Sequence, residues 1–181
     1  MKKTLIGALV GGLILFIWQF LSWSALNLHG SNMQYTPSQD KILSALAEEG
    51  LEDGTYFMPN VKPGATAEEY EAYQKANIGK PWALISYHNS LNNNMGMNMV
   101  RGFLIDFLAV FFLCYLLLKN PKLDFQTTLV STLMIGLIGY FTISYLNTIW
   151  FESSSIPELI DTIVQWGLTG AFLGWYLPEK D

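Results

Sequence analysis

Four long apolar runs, at about 4–26, 100–118, 126–151 and 156–177, punctuate an otherwise mixed chain. Each approaches or exceeds the roughly 20 residues a helix needs to cross a bilayer. Nearly half of the charged residues, 12 of 25, fall in one block, 27–99, between the first and second runs. This segregation predicts an all-α membrane protein: a four-transmembrane-helix bundle with a small α+β extracytoplasmic domain inserted between helices 1 and 2.

Inside the block the periodicity alternates. Thr36-Pro37-Ser38-Gln39 reads as a helix start, with Thr36 as N-cap, Pro37 at the first helical position and Gln39 closing a capping box. Ile42, Leu43 and Leu46 form its apolar stripe, and Gly50 suits its C-terminal stop. Thr55–Met58 then reads as a short strand, halted by Pro59. Thr66 and Glu69 form a second capping box, opening a helix through Tyr70 and Tyr73 that ends near Gly79. Trp82–His88 is the stronger strand. The order is α-β-α-β, in a unit small enough for its core to be marginal. Asn89–Asn98 is a polar hinge, and the short loop Asn120–Asp124 implies that spans two and three form an antiparallel hairpin. Ser155 and Glu158 stand in capping-box relation at the start of span four, which stops at Pro178.

Charge orients the spans. Lys2, Lys3, Lys119, Lys122 and Lys180 all flank one side if the runs alternate, while the turn Glu152–Ser155 has no positive residue. The positive-inside rule then makes both termini cytoplasmic and residues 27–99 periplasmic, in a bacterial inner membrane. Trp23, Trp150 and Phe151 fall at the outer interface, and Trp175 and Tyr176 at the inner one. The first run is too long for a signal-peptide core and lacks an A-x-A site, so it reads as a retained helix. Across 181 residues the formal net charge is −5 with no basic tract, which speaks against nucleic-acid binding. A single cysteine, Cys114, excludes a disulfide framework within the chain.

The candidate chemistry lies in the spans. Asp106 sits about 9 Å below the start of its helix. Gln19, Thr142, Ser144 and Gln165 reach similar depths, with Asp161 one turn above Gln165 on the same face. Two readings of this intramembrane polar cluster stand side by side. It is interhelical glue, or it is a water-accessible proton, ion or ligand site. Arg101 is an interface charge, free to snorkel or to pair with Asp161. Gly7 with Gly11, Gly136 with Gly139, and Gly170 with Gly174 offer helix-packing faces, one of them free for an outside partner. His88 with Met95, Met97 and Met99, joined by His29, suggests a soft copper(I) site, against the plainer view that interfacial methionines are flexible packing. No nucleophile elbow, HExxH, Walker loop or dinucleotide turn occurs, so the reading is non-enzymatic.

The segments FIWQFLSW, GTYFMP, TAEEYEAY and KPWALISYH, followed by three spans, resemble a group of uncharacterised bacterial four-span inner-membrane proteins. That resemblance implies topology and no activity. The function expected is a non-catalytic accessory or scaffold subunit of a larger inner-membrane complex, in the lipid bilayer with other membrane-protein subunits. It would dock through its periplasmic domain and small-residue helix faces. The alternatives are a small transporter or ion-conducting component using Asp106, and periplasmic copper binding.

Overall fold

The computed structural model describes residues 1–179; Lys180, counted above among the flanking lysines, lies outside the described residues. The chain divides into two compact units, Tyr35–Asn93 and a helical unit made of Met1–Gln34 with the chain from Asn94 onward.

In the helical unit, α1 spans Lys2–Phe20, runs into a π turn at Leu21–Ala25 and is followed by a 3-10 turn at Leu28–Asn32. In the second unit α2 spans Gln39–Glu48, β1 Gly54–Met58, α3 Ala67–Asn77 and β2 Ala83–Tyr87. The helical unit resumes with α4, Met95–Leu117, and α5, Phe125–Gly139. A π turn, Tyr140–Tyr145, links α5 to α6, Leu146–Phe151, and α7 is Ile156–Tyr176. Three stretches, Lys2–Ala25, Met95–Leu117 and Phe125–Phe151, are long and apolar enough to cross a membrane. The fourth long helix, α7, has 21 residues but carries Glu158, Asp161 and Gln165 and falls short on composition.

Neighbouring helices pair as α4 with α1, α1 with α7, and α7 with α5. Spans two and three therefore do not pack as the hairpin their short loop suggests, because α1 and α7 lie between them. The small residues explain the arrangement. A Cβ on Gly12 would lie 2.8 Å from the Phe107 Cα, so α1 and α4 touch backbone to backbone. Gly11 faces Val110 and Thr169, Gly7 faces Cys114 and Leu173, Gly170 faces Thr132 and Leu129, Gly174 faces Phe125, and Gly136 lies under the Trp166 ring. These faces are used within the chain, which corrects the idea of one left over for a partner. Gly139 meets nothing within 4 Å and is no packing residue.

The unit is apolar outside and polar within. Leu9, Leu104, Phe112, Ile138 and Ile163 are exposed, whereas Thr4, Asp106, Thr128, Thr132, Asp161 and Thr169 are buried. In water that distribution would be unfavourable; surrounded by lipid tails it leaves polar groups and close van der Waals packing to hold helices together. Only toward one end does an apolar core form, from Leu15, Val110, Leu113, Cys114, Leu117, Leu173 and Leu177. Lys3 Nζ reaches the Leu177 carbonyl at 3.3 Å there, a cation placed on the C-terminal end of α7.

The second unit has the α-β-α-β order its periodicity implies. The strands pair antiparallel with Gly54 opposite Tyr87 and Met58 opposite Ala83. The Thr66–Glu69 capping box is present, with Glu69 N donating to Thr66 Oγ1 at 3.2 Å and Thr66 N to Glu69 Oε2 at 2.8 Å. Gly50, at φ +70°, ends α2 in a Schellman turn: Leu51 N donates to the Leu46 carbonyl and Gly50 N to the Ala47 carbonyl. The first capping box does not form. Gln39 N donates to the Thr36 carbonyl in a tight turn, so α2 starts at Gln39 after Ser38. Met95 and Met97 also depart from the expected hinge, since both belong to the first turn of α4.

Two predictions follow from these contacts. Gly12→Ala forces a Cβ into the α4 backbone and should cost about 1–3 kcal/mol in denaturant unfolding of the detergent-solubilised protein. Gly139→Ala should be silent within about 0.5 kcal/mol, and equal losses at both positions would contradict the packing described. The second concerns Asp53, where the Asn89 backbone N–H at 2.8 Å, then the His88 imidazole and the Asn89 side-chain amide at 2.9 Å, hold the carboxyl below its ordinary value and tie the start of β1 to the chain after β2. A lowered folded pKa makes this tie complete above the unfolded value of about 3.9 and lost as pH falls through the folded one. The protection factor of the Asn89 amide in the full chain should therefore drop only below about pH 4. Asp53→Asn should remove that dependence; protection unchanged down to pH 2 would refute it.

Candidate functional site

The polar groups gather along the faces where α1 meets α7 and α4. Trp18 and Gln19, adjacent on α1, point to different partners. Trp18 Nε1 donates to Asp161 Oδ1 at 2.9 Å, while Gln19 Nε2 donates to Asp106 Oδ1 at 3.0 Å and to Gln165 Oε1 at 3.3 Å. Asp161 and Gln165, four residues apart on α7, share one face, so consecutive residues of α1 stitch successive turns of α7. Gln19 alone joins three helices.

Above this layer the 3-10 turn folds back. His29, 5% exposed, sets Nε2 2.8 Å from Asp161 Oδ2 and Nδ1 3.5 Å from Glu158 Oε1. Trp23, placed by the π turn, stacks on the imidazole with ring centroids 4.0 Å apart and planes within 2°. Asp161 thus has both oxygens bonded, one by an indole and one by an imidazole. At the adjacent corner Tyr140 Oη and Ser155 Oγ lie 2.9 Å apart, buried, tying the second π turn to the start of α7.

Several expectations change here. Gln19, Asp106 and Gln165 come together, and Asp161 sits one turn away. Thr142 is exposed and gives its hydroxyl to the Ile138 carbonyl of its own helix at 2.7 Å. Ser144 makes no side-chain hydrogen bond among the described residues, so neither joins the group. Arg101 is exposed and makes no ion pair among the described residues; Asp161 is taken by Trp18 and His29. Ser155 and Glu158 form no capping box because Tyr140 and His29 engage them. Both ring nitrogens of His29 face carboxylates. Met95, Met97 and Met99 lie on a helix, where Met97 points about 200° away from Met95, while Met95 and Met99, four residues apart, share a face. Among the described residues no three His, Cys, Asp or Glu side chains are grouped to hold a metal.

Trp18, His29 and Glu158 were legible only in part. Two acids three residues apart at the start of α7 mark one helix face. A histidine just beyond a span is a natural partner for them, but a 3-10 turn that folds back leaves no periodicity to read. No protein family matches the chain, nor does any curated protein or solved structure.

Asp161→Ala should destabilise the unit by about 3–5 kcal/mol, since it strands a buried histidine and indole. Trp18→Phe removes one donor and should cost about 1–3 kcal/mol. Denaturant unfolding in detergent orders the two; a smaller loss at Asp161 than at Trp18 would contradict the geometry.

Proposed function

We propose that the chain is a four-span accessory subunit of a bacterial inner-membrane assembly, with both termini cytoplasmic and the Tyr35–Asn93 unit as a periplasmic docking module. In this reading α7 is the fourth span, tolerating its acids because α1 and α5 cover its polar face.

The observation that carries the reading is how little the Tyr35–Asn93 unit buries. Tyr87 is its one buried side chain, and α2 and α3 bury none. On one face of the sheet Phe57, paired across from Leu84, stacks on Trp82, and all three are exposed at 41–46%. Aromatic and aliphatic groups clustered this way on a small unit favour a protein surface that covers them. The unit holds eight Asp and Glu against four Lys, a net −4, so a basic rim on the partner would complement it. The glycine faces are occupied within the chain, which leaves docking to this unit.

An ion-conducting component built on Asp106 is the rival. Against it, the polar ladder Asp161–Gln165–Thr169 on α7 gives way to Leu173 and Leu177 in the apolar core, so the polar groups do not continue along the helix.

Gentle-detergent purification should yield a stoichiometric complex. Trp82→Glu should release the partner while leaving the helical unit's unfolding unchanged, and a photo-crosslinker at Phe57 should give a discrete adduct that one at Lys75 does not. A protein that runs alone, with equal crosslinking from both positions, would overturn the proposal.

A further inference from the structure

Asp106 and Asp161 are not equally satisfied. Asp106 is 7% exposed; its Oδ1 accepts from Gln19, while its Oδ2 is buried without a hydrogen-bond partner. Gln19 spends its amide hydrogens on Asp106 and Gln165, which leaves its own Oε1 as a further acceptor. Acceptors therefore exceed donors at this point, and one of them is a carboxylate. What satisfies it is a group rich in N–H or positive charge.

Asp106 also lines an open groove of about 490 Å3, bordered with it by Gln19, Asn98, Arg101, Gly102 and Ile105. Gly102 keeps the wall low. Arg101 stands at this groove with no anionic partner among the described residues, five residues before Asp106, or about 7.5 Å of helix rise. A long arginine side chain covers that distance. A simple cation would meet Arg101 as well as Asp106, and a simple anion would meet Asp106. A groove carrying one group of each sign fits a ligand carrying both.

From this we infer that the groove between α1 and α4 binds a zwitterion, its primary ammonium held by the Asp106 carboxylate and Gln19 Oε1 and its phosphate or carboxylate held by Arg101. The ammonium must carry N–H groups, because the free positions are hydrogen-bond acceptors. A quaternary ammonium offers none. The inference stands apart from the docking proposal, which rests on the other unit. The same chemistry is available from a phosphatidylethanolamine headgroup and from a free amino acid.

The test uses the full chain in nanodiscs of phosphatidylglycerol alone, or with phosphatidylethanolamine or phosphatidylcholine added. Native mass spectrometry reads retained lipid, and calorimetry with glycine in the phosphatidylglycerol discs reads free zwitterion. Retention of phosphatidylethanolamine at least tenfold over phosphatidylcholine assigns the groove to a lipid headgroup. Glycine binding without such retention assigns it to a free zwitterion. In either case Asp106→Asn, which keeps the shape and an acceptor for Gln19, should reduce binding at least tenfold. Arg101→Gln, an exposed change outside the buried network, should reduce it several-fold and serves if the first variant does not fold. Binding of neither probe, equal retention of phosphatidylcholine, or binding that Arg101→Gln and Asp106→Asn leave unchanged would overturn the inference.

Discussion

A carboxylate inside a bundle of membrane helices has to be met by a donor from another element, and Asp161 is met from two. Trp18 reaches it from α1 and His29 from the turn beyond α1. His29 and Asp161 are buried, and the two bonds tie α7 to α1 and to the turn beyond it. The helix order follows. With one face of α7 committed to α1, Gly170 and Gly174 on another face take α5, and α4 closes on α1 through Gly7, Gly11 and Gly12. The most polar of the long helices thus packs between α1 and α5.

The two π turns are part of the same arrangement. Each widens the helix by one residue and shifts the side chains that follow, a device frequent near functional positions. At Leu21–Ala25 the shift lays Trp23 against His29, and at Tyr140–Tyr145 it brings Tyr140 to Ser155. The two corners thus secure both sides of the start of α7.

Elements specified by local chemistry were readable in the chain. Four apolar runs became helices, the Thr66–Glu69 box and the Gly50 stop formed as their residue types require, and both short strands fell within a residue or two of their expected bounds. What could not be read was how the helices choose neighbours. A short loop argues for packing α4 on α5, but the loop only limits distance, whereas the Gly12–Phe107 backbone contact and the Trp18–Asp161 bond fix contact. Depth along a helix is likewise visible in sequence and direction is not. Thr142 lies at the depth of Asp106 and still turns to its own Ile138 carbonyl, since a threonine can satisfy itself locally and a carboxylate cannot.

That difference bears on whether buried acids here act only as glue. Asp161 shows what glue looks like: both oxygens bonded, each to a neutral or basic donor held by packing. Asp106 shares the bundle and the helix contacts yet keeps one oxygen without a partner, at a cost of about 1–3 kcal/mol if nothing meets it. Gln19 could have been a second donor to it and instead turns its other hydrogen to Gln165. A residue kept only for register would do as well as an asparagine, which donates and accepts without the charge. Holding an aspartate half-satisfied beside a groove, with Arg101 on the same groove and unpaired among the described residues, makes sense when a ligand completes the set.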